Sequence, residues 1–136
     1  MQKYFVISLI FLSVLVLKCD SDNETDCGTS LCTMEFRYIT ILVKHSIDNS
    51  PVLLTDFKVY RISDNKDITI NDNNLNDNSG YYPLVNDTGI DMLRHKNVEI
   101  EFQGYVDDAL IINKRFVVTA DCCHVSLVSG ELVVYI

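Results

Sequence analysis

From Glu35 onward the apolar residues of this chain recur at every second position, and that period leaves little choice of architecture. In "VEIEFQ" (98–103), Val98, Ile100 and Phe102 face one way while Glu99, Glu101 and Gln103 face the other. Successive side chains of a strand point to opposite faces, so such a segment lays one face on a core and the other in water. "FRYITILVK" (36–44) places Ile39, Ile41 and Val43 together in the same way. Further strands are expected at 52–62, after the turn signal "DNSP", and at 67–70. "ALIINKRFVVTA" (109–120) reads as one long strand, or as two with a bend at "INK". Residues 123–129 and 131–136 are expected to form a last hairpin around Gly130. No segment shows a helical stripe with caps. About seven short strands in about 100 residues predict an all-β fold, an antiparallel β-sandwich.

"NDNNLNDNSGYYPLVNDTG" (71–89) breaks the alternation. Its Asn, Asp, Gly and Pro content predicts a long surface loop. Closely spaced carboxylates and amides can ligate calcium, but the loop pattern for that fails. Counting from Asp72, the sixth position is Asp77 where glycine is needed, and Pro83 stands where the bidentate Glu belongs. Tyr81 and Tyr82 are the aromatic residues of this stretch that a ligand could use, provided they are exposed. "NET" at Asn23 and "NDT" at Asn86 match the glycosylation sequon, a short motif that matters only in a eukaryotic source.

The chain has 136 residues, enough for one domain. Its net charge of -8 repels phosphate backbones, so nucleic acid is not an expected partner. No Gly-rich phosphate loop, H-E-x-x-H or G-x-S-x-G motif is present.

The N-terminus has its own logic. "MQKYFVISLIFLSVLVLKC" opens with Lys3 and continues as an uncharged apolar stretch of 14 residues, Tyr4 to Leu17. A transmembrane helix needs about 20 residues, whereas a signal-peptide core is shorter. The stretch ends on Cys19 and resembles a bacterial lipoprotein signal, in which cleavage leaves a lipidated cysteine as the new first residue. Val16 and Leu17 suit that motif, while Lys18 stands where Gly, Ala or Ser is usual. "CDSDNETD" follows, with Asp20, Asp22, Glu24 and Asp26, a solvated acidic tether in any case. It resembles the acidic export signal of Bacteroidota surface lipoproteins. The resemblance implies a signal peptide over 1–18, lipid on Cys19, an acidic tether over 19–34 and a domain over 35–136. It places the protein at the outer membrane or cell surface, with a secreted or periplasmic protein as the alternative.

"ITILVKHSIDNSPVLLTDFKVYRI" (39–62) is similar to the opening of Ig-like and transthyretin-like modules, with Asp48, Asn49 and Pro51 in the turn where a glycine is also usual. "DCCHVSLVSG" (121–130), preceded by "VEIEFQGYVDDALI", resembles small predicted flavobacterial lipoproteins. These likenesses imply a place and a fold but no reaction.

Five cysteines are an odd number. With Cys19 lipidated, Cys27, Cys32, Cys122 and Cys123 remain, and four cysteines allow three pairings. A bridge between the neighbours Cys122 and Cys123 needs a strained small ring. The other two pairings both tie "CGTSLC" to "DCCH", and their order stays open. Catalysis at this motif is disfavoured, because Asp121 and an acidic domain oppose a thiolate. On a strand, Cys123 would also face inward with Val125 and Leu127, while Cys122, His124 and Ser126 would face outward. Zinc on Cys27, Cys32, Cys122, Cys123 and His124 is disfavoured too, because neighbouring cysteines on a strand diverge and an oxidising compartment favours disulfides. His45, His95 and His124 read as surface histidines. The sequence therefore predicts a lipid-anchored module with a binding or structural role, without metal or cofactor. Its expected contacts are the membrane, through the lipid, and an envelope protein or glycan. The alternative is a small secreted enzyme or inhibitor with its site in 71–89.

Overall fold

The computed structural model describes residues 27–71 and 79–136. Cys19, Lys18, the signal stretch, the acidic residues up to Asp26, Asn23, Asp72 and Asp77 lie outside the described residues. Eight strands are found among the described residues: β1 (Tyr38–Lys44), β2 (Asp56–Arg61), β3 (Lys66–Asp67), β4 (Tyr81–Asn86), β5 (Val98–Val106), β6 (Ala109–Ala120), β7 (Val125–Ser129) and β8 (Val133–Tyr135). They form one sheet in the order β4-β1-β8 and a second in the order β3-β2-β5-β6-β7. The protein is an all-β sandwich.

The period of two works as expected. Ile41, Val43, Ile100 and Phe102 are fully buried, and Ile39 is nearly so. They share one core cluster with Val59, Leu84, Phe116 and Val118. Phe57 and Tyr82 pack beside Phe102, with ring centroids 5.4 Å and 5.9 Å from Phe57 to Tyr82 and Phe102 respectively. β6 is one continuous strand of 12 residues that follows β5 along its whole length.

Several expectations need correction. First, only part of 71–89 is a polar loop, because β4 occupies Tyr81–Asn86 and buries Leu84 and Val85. Pro83 marked a loop, yet it sits in a strand at the edge of its sheet. The register there skips a residue, with Ile39 opposite Val85 and Thr40 opposite Pro83. An edge strand with a bulge loses no ladder bond to a residue that lacks an N–H. Second, β7 and β8 are not a hairpin. β7 pairs with β6, while β8 crosses to the other sheet and runs parallel to β1, Leu42 opposite Val133. The sandwich is thus antiparallel except at that pair. Third, the segment after β4 carries a 3-10 turn (Asp87–Gly89) and one turn of helix, α1 (Ile90–Leu93), where no helix was expected. Asn86 caps the turn, its Oδ1 accepting from Thr88 N at 3.1 Å. α1 places the fully buried Leu93 over the end of the core.

The predicted strand 52–62 is shorter in fact and begins at Asp56. Val52 and Leu54 instead bond Tyr82, whose hydroxyl donates to Val52 O at 2.9 Å and accepts from Leu54 N at 2.7 Å.

Candidate functional site

Chemistry-bearing side chains converge at one end of the sandwich, where the N-terminal segment, the 3-10 turn, α1 and the β6–β7 turn meet. Cys122 and Cys123 lie in that turn and not on a strand. Asp121 makes the turn: its Oδ1 accepts from Cys123 N at 2.6 Å and from His124 N at 2.7 Å. Its own N–H donates to His124 O at 3.1 Å. Those two backbone N–H groups favour the ionised carboxyl and hold Asp121 below the usual carboxylate range. A side chain that bonds the backbone two and three residues ahead competes with the ladder, which is why the strand stops here.

The turn removes the strand alternation on which the outward direction of His124 was predicted. His124 is buried, with its side chain 8% exposed. Its Nδ1 lies 2.8 Å from Asp87 Oδ2 and its Nε2 lies 2.9 Å from Thr33 Oγ1. Asp87 also accepts from Arg37 N at 2.8 Å and from Val125 N at 2.9 Å. One carboxylate therefore ties the entry to β1, the start of β7 and the imidazole. Burial raises the Asp87 pKa, but the bonds from His124, Arg37 and Val125 outweigh it and hold the carboxyl below its ordinary value. The ionised Asp87 fixes the ring proton on Nδ1. In the neutral ring, Nε2 is then the acceptor for the Thr33 hydroxyl.

Both disulfides close on this turn. Cys27 joins Cys122 and Cys32 joins Cys123, with Cα–Cα distances of 5.4 Å and 5.2 Å. This is one of the two orders that the sequence left open. A C-x4-C segment reaches two adjacent cysteines because it folds on itself, Ser30 N donating to Cys27 O at 3.1 Å. Cys123 is partly exposed, as Cys122 is, and not buried as predicted. His95 stands over the first bridge, with Nε2 3.5 Å from Cys122 Sγ and 3.8 Å from Cys27 Sγ.

Hydroxyl, imidazole and carboxylate in that order are the elements of an activated nucleophile. Here they are arranged as a clamp. His124 is buried, and the nearby N–H groups of Arg37, Cys123, His124 and Val125 are spent on carboxylates. A cleft of about 210 Å³ lies elsewhere, beside Leu54, Asp56, Tyr81 and Tyr82.

Sequence reasoning missed Asp87 and His95. Asp87 carried a usable signal, because "NDTG" has the form of a helix cap with an acidic first turn. "RHKN" carried none for His95. No family model, curated protein or solved structure matches the chain. Fold and site define a class: an all-β sandwich whose N-terminal segment is stapled by two disulfides to the turn between β6 and β7.

Proposed function

We propose that the protein is an exported module held at an envelope membrane through lipid on Cys19, where its sandwich binds or braces another envelope component, a protein or a glycan, and catalyses no reaction. The observation that carries this reading is the cysteine parity. Two bridges use four of the five cysteines and leave Cys19. Disulfides belong to oxidising compartments, and the odd cysteine stands just after the apolar stretch at the N-terminus, beyond Lys18. Among the described residues no helix is long and apolar enough to cross a membrane. The burial of His124 and the use of Tyr82 in packing also favour a binding or structural role. Of the two tyrosines named for a site in 71–89, Tyr81 alone is exposed, so an enzyme or inhibitor acting there has less support.

The test is membrane fractionation of cells grown with radiolabelled palmitate. Wild type should be labelled and sediment with membranes, and Cys19→Ala should be unlabelled and soluble. Label in the variant, or none in wild type, would refute the anchor.

A further inference from the structure

An imidazole nitrogen, that of His95, faces the Cys27–Cys122 bridge. We propose that this bridge is the closed form of a metal site. When a dithiol opens it, Cys27, Cys122 and His95 hold a zinc-class divalent cation, with water in the fourth position.

The geometry is the first argument. A tetrahedral zinc with ordinary Zn–S and Zn–N bonds separates a sulfur from a nitrogen by about 3.6 Å and two sulfurs by about 3.8 Å. The two sulfur–nitrogen distances are 3.5 Å and 3.8 Å already. All three ligand atoms lie within 4.8 Å of one another. Binding then requires one adjustment, the parting of the two sulfurs once the bond between them is gone.

The second argument is the mounting of His95. Its φ of 52° is in the left-handed region, uncommon outside glycine. The conformation is held from both sides. Arg94 N donates to Ile90 O at 2.7 Å, and His95 N donates to Ala120 O at 2.8 Å. α1 and β6 therefore fix the backbone of the ligand two residues from Cys122. A rigid mount holds a ligand in place when the bridge opens. Meanwhile Cys32–Cys123 still ties the N-terminal segment to the turn, so Cys27 stays near. The site is open to solvent, with His95 exposed and both cysteines partly so. The chain's net charge of -8 favours a cation.

The chemistry balances. One thiolate of the dithiol attacks a bridge sulfur, the S–S bond breaks, and the second thiol resolves the mixed disulfide. The reductant leaves as a cyclic disulfide, and Cys27 and Cys122 carry two protons. The cation displaces both protons and takes the lone pair of His95 Nε2, the ring proton residing on Nδ1. A small disulfide reverses the exchange: one cysteine thiolate attacks it, the other resolves the mixed disulfide, the small disulfide leaves as two thiols, and the re-formed bridge releases the metal. The sequence alone pointed to His124 as the histidine of any zinc set, but that ring is committed to Asp87 and Thr33.

The experiment uses the folded chain, treated anaerobically with limiting dithiol, freed of reductant and titrated with Co²⁺ and then Zn²⁺. Alkylation and peptide mapping identify the opened bridge, and far-ultraviolet circular dichroism follows the sheets. The expected result is one Co²⁺ per chain, with tetrahedral d–d bands and a sulfur charge-transfer band that Zn²⁺ abolishes. The oxidised protein should show neither. His95→Ala should weaken binding by at least about tenfold, the smallest loss that removal of even an outer-shell partner causes. Cys27→Ser/Cys122→Ser should abolish it. Loss of the sheets on opening Cys27–Cys122, an opened protein that takes up no metal, or binding indifferent to either variant would overturn the proposal.

Discussion

Asp87 shows how much one carboxylate can organise. It accepts from two backbone N–H groups on different segments and from His124. Asparagine at that position keeps one acceptor oxygen and turns an NH₂ towards groups that already donate. Bonds to a charged acceptor contribute more than neutral ones, and an orphaned buried donor adds its desolvation cost. Asp87→Asn should therefore destabilise the protein by about 2–3 kcal/mol, read from urea unfolding at neutral pH. The pH dependence follows from the depressed folded-state pKa. A carboxyl that binds its proton more weakly in the folded state than in the unfolded chain stabilises the fold above the unfolded value, about 3.9. That contribution is lost as pH falls through the folded value. The gap between wild type and Asp87→Asn should be full above about pH 5 and shrink progressively below pH 4. A gap that stays constant down to pH 2 would show that the charge contributes nothing.

At the scale of elements, the decisive joint is the passage from β7 to β8. A hairpin would have kept both strands in one sheet. Instead the chain leaves β7 at Gly130, with φ of +123°, and enters the other sheet beside β1. Gly130 also lies against the core: a Cβ there would stand 2.3 Å from Phe116 Cδ1. Phe116 is almost fully buried and has nowhere to retreat. Gly130→Ala combines a strained backbone with an overpacked contact and should cost about 2–4 kcal/mol. Chemical denaturation measures it, and Phe116→Leu in the same chain should recover part of the loss. Equal losses with and without Phe116→Leu would place the whole effect in the backbone. β4 teaches the related lesson that a proline rules out a central strand but not an edge strand with a bulge.

For the whole molecule the two bridges interleave along the chain and do not contribute independently. Their cysteines are 95 and 91 residues apart. In the chain-entropy account, either bridge alone stabilises by about 4–5 kcal/mol. With one in place, the other closes only the ring made by Cys27 to Cys32 and the two cysteines of the turn. The same account gives a ring of about eight residues about 2 kcal/mol. Removing one pair, as Cys27→Ser/Cys122→Ser or Cys32→Ser/Cys123→Ser, should then cost about 2 kcal/mol, and removing both about 6–7 kcal/mol. Urea unfolding of the three variants checks the ratio. A double loss no larger than the sum of the two single losses would mean that the bridges act through local contacts and not through the unfolded chain.

The sequence by itself determined what depends on neighbours along the chain. The period of two settled the all-β class and the buried faces of β1 and β5, because alternation is a local property of an extended backbone. Cysteine number and spacing reduced the plausible bridges to two orders, because adjacent residues cannot readily close on one another. Tertiary structure alone decided what depends on partners distant in sequence. Val125 and Val133 belong to strands that look alike, yet after Gly130, which lies against Phe116, β8 pairs with β1 in the other sheet. His124 looked exposed for as long as it was counted as part of a strand, and a turn made by Asp121 brought it inside to Asp87, 37 residues earlier. His95 reaches the cysteines because α1 and β6 meet there, and no local pattern encodes a meeting between residues brought together by the fold.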